Sequence, residues 1–294
     1  MNRGFGALMA VVLAAAWGAT AVAPAAQPAT IRAEQIVTTP HPTKVLSIIE
    51  ENHSYTQMSN QMPYLWSLAQ RYGYATDWTA IRHPSLPNYL AIVGGSTFGV
   101  TDDNDPVDHP INAVTVFDQA IDAGKRARLW AESMPANCYP VSASLYAVKH
   151  NPWAYFTPSQ TRCNSFDVPA GSFLHAAANN GLPAVGMLVP NLCNDAHDCP
   201  LATADNWLKA RLPTVLQSSD FTSGRLAVVV TADEDDRRSG NKVLTVVLAA
   251  SLNGTVVTAP LTHYSLTRFY AQTLGVAPLL NGIGAPDMRA AFGL

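Results

Sequence analysis

The sequence predicts an α/β fold with a mostly parallel central sheet flanked by helices, and three observations predict it. Near-continuous apolar runs of strand length occur at residues 44–50, 184–189 and 226–231, the pattern of strands covered on both faces. Stretches of helical period separate them, as parallel strand crossovers require. Each run breaks off into a polar cluster, and parallel sheets bind ligands in the crevice beyond the carboxyl ends of their strands.

Residues 1–26 read as a secretory signal: Arg3 supplies the basic start, residues 5–17 the apolar centre, and residues 21–26 small side chains for cleavage. The apolar run is short and Ala-rich, with no stop-transfer pattern after it, so no transmembrane anchor is expected once the signal is cleaved. Residues 27–42, rich in Thr and Pro, are expected to be a linker, and residues 43–294 a single α/β domain. With Arg3 removed, 17 basic residues face 21 acidic ones, which argues against nucleic-acid or anionic-membrane binding through charge alone. Export makes the four cysteines disulfide candidates. Neighbours in sequence are expected to pair, Cys138 with Cys163 and Cys193 with Cys199, out of three arrangements that four cysteines allow. No CxxC pair supports a cysteine-type zinc site.

After the strand at 44–50 comes Glu51-Asn52-His53-Ser54, then a helical stretch at 62–72 that stops at Gly73. Residues 74–79 read as a strand leading into Arg82-His83-Pro84-Ser85-Leu86-Pro87-Asn88-Tyr89. Pro84 biases His83 away from helical geometry and stiffens an elbow, with Ser85 in the first turn of a short helix. There a hydroxyl faces unpaired N–H groups and a positive dipole end, which favour an alkoxide and an incoming phosphate. The alternative is that Ser85 only caps the helix. No GxSxG elbow surrounds it, so a conventional serine hydrolase is not expected.

Residues 97–110 carry Asp102, Asp103, Asp105 and Asp108 but neither the glycine nor the terminal glutamate of an EF-hand, and are expected to be a solvated loop. A helix at 114–123 and a strand at 128–131 follow. Residues 135–169 show little periodicity and read as a long disulfide-stapled excursion that forms a site wall. A helix at 173–180 leads to the strand at 184–189, which ends in Pro190-Asn191 and a Cys-closed loop with Asp195, His197 and Asp198. A helix at 204–216 precedes the strand at 226–231, which ends in Asp233-Glu234-Asp235-Asp236. A strand at 243–250 and a helix from Thr262-His263-Tyr264-Ser265 to about Leu274 complete the pattern.

Glu51, Asn52, Asp233 and Glu234 are hard oxygen ligands, and carboxylates gathered from different strands repel unless a cation or proton sits among them. A divalent cation there would let Ser85 ionise near neutral pH and would neutralise a phosphate. The alternatives are turn capping for Glu51 and Asn52, and a solvated acidic loop balanced by Arg237 and Arg238 for the other two. His83, His197 and His263 are the candidate proton donors or phosphate ligands, and His41, His109, His150 and His175 lack a comparable setting.

Taken in order, the Glu51-Asn52, His83-to-Tyr89, Pro190-to-Asp198, Asp233-Glu234 and Thr262-His263 motifs resemble the phosphoesterase family of secreted acid phosphatases and non-specific phospholipases C, a branch of the alkaline phosphatase superfamily. The likeness runs from about Lys44 to the C-terminus and is nearest to the small phosphoinositide phosphatases. It implies an alkaline-phosphatase-like fold and one divalent metal ion held by Glu51, Asn52, Asp233, Glu234 and Ser85, calcium or magnesium before zinc because the ligands are all oxygen. It implies a phosphoserine on Ser85, with His197, His263 and His83 as phosphate-binding or leaving-group residues and Asn88, Asn191 and Asp195 near the substrate. The expected partner is a small phosphorylated substrate or a lipid headgroup, and the expected location is extracellular. The phospholipase C members carry a glycine-rich Asp-His segment after their Asp-Glu pair, where this chain has Asp235-Asp236-Arg237-Arg238. That difference favours monoesters over a phospholipase C-like diesterase. A third reading is a non-catalytic, metal-stabilised secreted binding protein.

Overall fold

Lys44–Glu50 forms the central strand, β1, because its β-branched and aliphatic side chains suit a strand buried on both faces, and every residue after Lys44 is buried. This is a computed structural model, and it describes residues 1, 4–19 and 41–294. The cleavage segment of the expected signal and nearly all of the expected linker lie outside the described residues. Among the described residues no helix is long and apolar enough to cross a membrane. Of the described residues, 41–294 belong to one compact unit.

Two helices follow β1, α1 (Tyr55–Gln61) and α2 (Pro63–Arg71), then two short strands, β2 (Gly73–Ala75) and β3 (Trp78–Thr79). Next come α3 (Ser85–Gly94), α4 (Val116–Asp122) and β4 (Ala127–Ala131). The expected irregular excursion is more ordered than its sequence suggests, holding three 3₁₀ turns, a helix α5 (Gln160–Phe166) and an edge strand β5 (Asp167–Pro169). Then follow α6 (Phe173–Ala178), β6 (Val185–Val189), α7 (Leu201–Gln217), α8 (Ser219–Thr222) and β7 (Leu226–Ala232). Three strands, β8 (Thr245–Leu248), β9 (Thr255–Val257) and β10 (Leu261–Thr262), lead to α9 (His263–Leu274) and α10 (Met288–Phe292).

The main sheet has the order β5-β4-β6-β1-β7-β8-β2-β9. Every neighbouring pair is parallel except the two made by β8, so β8 alone runs backwards. The carboxyl ends of β4, β6, β1 and β7 therefore open on one side. β1 and β7 are in register from Lys44↔Leu226 to Glu50↔Ala232, which puts the residues after them, Glu51 and Asp233, next to each other. Helix α1, absent from the sequence reading, owes its start to a capping box in which Ser54 and Gln57 satisfy each other's backbone N–H groups. The expected strand at 74–79 is divided between two sheets, since β3 pairs with β10. Both expected disulfides are formed, Cys138–Cys163 with a Cα separation of 5.3 Å and Cys193–Cys199 with 4.7 Å.

Candidate active site

Ser85 is the first residue of α3, and the cap position belongs to Pro84, whose side chain makes no hydrogen bond. The Ser85 hydroxyl is buried and donates to Glu51 Oε2 at 3.1 Å, so it does not serve as a helix cap. Asn88, one turn later and fully buried, fixes the elbow in front of it. Its Oδ1 accepts from the backbone N–H of Ile81 (2.9 Å) and of Arg82 (3.2 Å). Its Nδ2 donates to the carbonyls of Arg82 (2.7 Å) and Pro84 (3.1 Å) and to Glu234 Oε2 (3.3 Å). The Asn88 amide thus clasps both sides of the cis His83–Pro84 peptide and ties the elbow to the β7 end.

The acidic residues come from the strand register. Asp233 N–H donates to the Glu50 carbonyl at 2.9 Å, continuing the β1–β7 ladder one step past the strands. Asn52 turns into the left-handed region (φ 56°), which Asn tolerates better than most residues, and its N–H donates to Asp233 Oδ1 at 2.9 Å. Asn52 Nδ2 reaches Glu51 Oε2 at 3.4 Å. Glu51 and Asp233 are each 0% exposed and Glu234 is 3% exposed, which excludes a solvated acidic loop. Turn capping is excluded for Glu51 and Asn52 as well, because Ser54 performs it.

A second group, left out by the sequence reading, lies against Glu51. His150 is buried, with Nε2 3.2 Å from Glu51 Oε1 and Nδ1 bonded to Asp195 Oδ2 at 3.1 Å, and its ring stacks on Tyr89 at 5.2 Å. The Tyr89 hydroxyl donates to Glu51 Oε1. Lys149, its neighbour, donates to Asp103 Oδ2 at 3.1 Å and stands 3.3 Å from His197 Nε2. Asp103 Oδ1 in turn accepts from the N–H of Leu86 at 2.9 Å, so this half-buried loop residue is tied to the first turn of α3. His197 is 29% exposed and holds Asp198 through Nδ1 at 2.7 Å. The signal that could have exposed Lys149 and His150 was their place inside the disulfide-closed excursion already read as a site wall.

The remaining sequence candidates are engaged by their neighbours, and all but the half-buried His83 are buried. Asp195 accepts from the His197 N–H at 2.8 Å through Oδ1, while its carbonyl accepts from the Glu51 N–H at 2.8 Å. Asn191 Oδ1 accepts from the N–H groups of Cys193 (3.2 Å) and Asn194 (3.0 Å), and its Nδ2 donates to Ser133 Oγ at 3.0 Å. His263 is buried, accepts from Trp78 Nε1 at 3.1 Å and donates from Nε2 to the Asp233 carbonyl at 2.6 Å. Burial pushes its imidazole down to about 4, so it is neutral and both nitrogens are engaged. His83 lies between carboxylates, Nδ1 2.9 Å from Glu234 Oε1 and Nε2 3.1 Å from Asp235 Oδ1.

These neighbours set the charge states. Burial alone would raise the Glu51 carboxyl, but the His150 charge, hydrogen bonds from His150 and Tyr89, and Lys149 outweigh it and hold the group down at about 2. Burial would lower His150, but Glu51 and Asp195 raise it to about 9. Glu51 and His150 are therefore an ion pair at neutral pH. Asp233 has no such partner: burial first, then repulsion from Glu51 and Glu234, pushes it far above the usual carboxylate range, and its Oδ2 is buried without a hydrogen bond. An orphaned buried oxygen among repelling carboxylates and an amide fits a hard divalent cation. Glu51, His150 and His197 also each bring a donor atom to within 4.8 Å of the others.

Residues 52–277 match the Phosphoesterase family. A phosphatidylinositol-3-phosphatase of Mycobacterium tuberculosis is 32% identical over 252 residues, covering 85% of this chain and 82% of that protein. An acid phosphatase of Aspergillus fumigatus is 32% identical over 249 residues, with 78% of this chain and 54% of its own length covered. A phosphate-repressible acid phosphatase of Penicillium chrysogenum is 32% identical over 222 residues, with 69% and 52% covered. The chain thus spans about half the length of these two fungal proteins. Among solved structures, an alkaline phosphatase superfamily protein from Vibrio parahaemolyticus superposes with a TM-score of 0.61 at 11% identity, over 85% of this chain and 70% of that one. At that identity the likeness is one of fold.

Proposed function

The chain belongs to the phosphoesterase family and is a phosphoric ester hydrolase, and we propose that it is a secreted, metal-dependent phosphatase that cleaves phosphate monoesters, phosphoinositides among them, through a phosphoserine on Ser85. The observation that carries this reading is the buried Ser85 hydroxyl at the start of α3, 3.1 Å from Glu51, at the carboxyl end of the sheet. Glu51, Asn52, Asp233, Glu234 and the Ser85 oxygen would hold one divalent cation, calcium or magnesium before zinc for an all-oxygen set. When bound, that cation would lower the pKa of the Ser85 hydroxyl and neutralise charge on the phosphate.

The chain's own residues do the rest. Glu51 accepts the hydroxyl hydrogen bond and directs the oxygen lone pairs, the hydroxyl proton leaves for solvent as the oxygen attacks, and the positive end of the α3 dipole favours the anionic phosphoryl group. As the Ser85 oxygen bonds to phosphorus, the bond to the leaving oxygen breaks. That oxygen takes a proton from His197, which is open enough to regain one from solvent. Lys149, beside the same imidazole, presents its ammonium to a phosphate oxygen. Water then displaces the Ser85 oxygen from phosphorus, releasing phosphate and restoring the hydroxyl. Asn88, Asn191, Asp195, His263 and His83 position these groups instead of touching substrate. His263 holds the Asp233 loop, His83 steadies Glu234, and Asp195 orients His150.

Ser85→Ala should abolish phosphate release from p-nitrophenyl phosphate while the melting temperature stays within about 2 °C of the parent. Full activity in that variant would refute the role. Secretion is tested by deleting residues 1–26 and following the protein between cells and medium, where loss of export is expected.

A further inference from the structure

The segment after the acidic pair is the part of the site that departs from the phospholipase C pattern. Asp235 is buried, and its carboxylate accepts from the N–H groups of Arg237 (2.7 Å), Ser239 (2.6 Å) and Asn241 (3.0 Å). These bonds wind residues 235–241 into a tight turn and hold Arg237 at φ 66°, a backbone region that non-glycine residues rarely adopt. Arg237 thereby lines a cavity of about 240 Å³ together with His83, Asp235, Gly240 and Asn241. His83 stands 2.9 Å from Glu234 and two residues before Ser85, so this cavity adjoins the proposed phosphate site.

The charge in that cavity has no internal partner. Among the described residues the Arg237 guanidinium makes no ion pair within 4.0 Å and donates no hydrogen bond. Arg237 is exposed, as is Arg238, but Arg238 leans to Asp236 at 4.0 Å with its side chain 86% exposed. Asp235 lines the same cavity but makes no ion pair with the guanidinium: its oxygens accept from three backbone N–H groups, and His83 Nε2 lies 3.1 Å from Oδ1. An exposed, unpaired five-donor fork on a residue that lines a cavity beside a phosphate site suits the bidentate geometry of a second phosphate.

We propose that Arg237 is a specificity-determining residue that binds a second phosphate group on the same substrate, so that the enzyme prefers bisphosphates over single phosphate esters. The inference rests on the phosphatase reading above. The test uses the full-length secreted protein with its divalent cation and a series of α,ω-diol bisphosphates from ethane-1,2-diol to hexane-1,6-diol, each beside the matching monophosphate. The quantity read is the ratio of kcat/KM, bisphosphate over monophosphate, at each chain length. Wild type should show a ratio of about ten or more at one spacing, carried by KM, as expected for a charge-assisted contact. Arg237→Gln should flatten the ratio toward one, and Arg237→Asn, which suits the left-handed backbone, should do the same with the fold undisturbed. Arg237→Lys should recover part of it. A ratio near one in wild type, or an unchanged ratio in both variants, overturns the inference. Absence of turnover for every ester in wild type overturns the phosphatase reading instead.

Discussion

Replacing His150 by Gln tests how the protein keeps Glu51 ionised in a buried site. The imidazolium lies 3.2 Å from Glu51 and 3.1 Å from Asp195, with all three side chains essentially closed to water. Raising an imidazole from its ordinary 6.5 to about 9 corresponds to about 3 kcal/mol of favourable interaction. Lowering Glu51 from 4.5 to about 2 reports the same pair from the other side, so the figure counts once. It falls in the range of about 3–5 kcal/mol for breaking a buried pair. For a domain of this size that is a fall in Tm of about 6–12 °C. The pH dependence has a definite sign. Because His150 is raised on folding, its stabilisation is full below pH 6.5 and is lost as pH rises through about 9. Because Glu51 is lowered, its stabilisation is full above pH 4.5 and is lost as pH falls through about 2. The assay is urea unfolding of parent and variant in EDTA, so that no cation replaces the imidazolium, at pH 6 and pH 9.5. The variant should be about 3 kcal/mol weaker at pH 6 and close to the parent at pH 9.5. A loss under 1 kcal/mol at pH 6, or an equal loss at both pH values, would refute the ion-pair account.

Asp167 provides a second pH test: burial raises its carboxyl to about 8, and its Oδ1 has no hydrogen-bond partner. Its contribution is full below pH 3.8 and is lost as pH rises through about 8, so Asp167→Asn should gain relative stability of a few kcal/mol at most between pH 4 and 8, read from urea midpoints. Asn88→Ala should cost about 2–4 kcal/mol by leaving the Ile81 and Arg82 N–H groups without their side-chain acceptor, and should lower kcat about a hundredfold as the elbow loosens; normal kcat would show that Asn88 does not position Ser85. Lys149→Ala should raise KM for monoesters about tenfold, measured by phosphate release, whereas an unchanged KM would remove it from the phosphate site. Chelation should stop turnover, and added calcium or magnesium should restore it with Ser85 present but not in Ser85→Ala.

The parallel half of the fold was legible because its strands, buried on both faces, spell continuous apolar runs. β8 carries the same kind of run, Thr245–Leu248, and such a run reads identically in either direction, so its reversal was hidden. The strands β5, β9 and β10 are two or three residues long and owe their existence to a neighbour already in place. The candidate site was legible wherever a polar cluster ended a long strand, as at Glu51 and Asp233. His150 was not, because its partners Glu51 and Asp195 are distant in sequence and meet it only after the disulfide-closed excursion folds over the sheet. His263 stands in a motif of the sequence, yet its two engaged nitrogens, set by Trp78 and the Asp233 carbonyl, belong to packing that no local pattern encodes.

The most direct measurement is an acid quench of the metal-loaded protein during turnover, followed by mass spectrometry of the peptide that contains Ser85. A phosphoryl group should appear on Ser85 within one turnover, decay as substrate is exhausted and be absent from Ser85→Ala. Phosphate carried on a histidine instead, or an unlabelled Ser85 in an enzyme still turning over, would contradict attack by this hydroxyl.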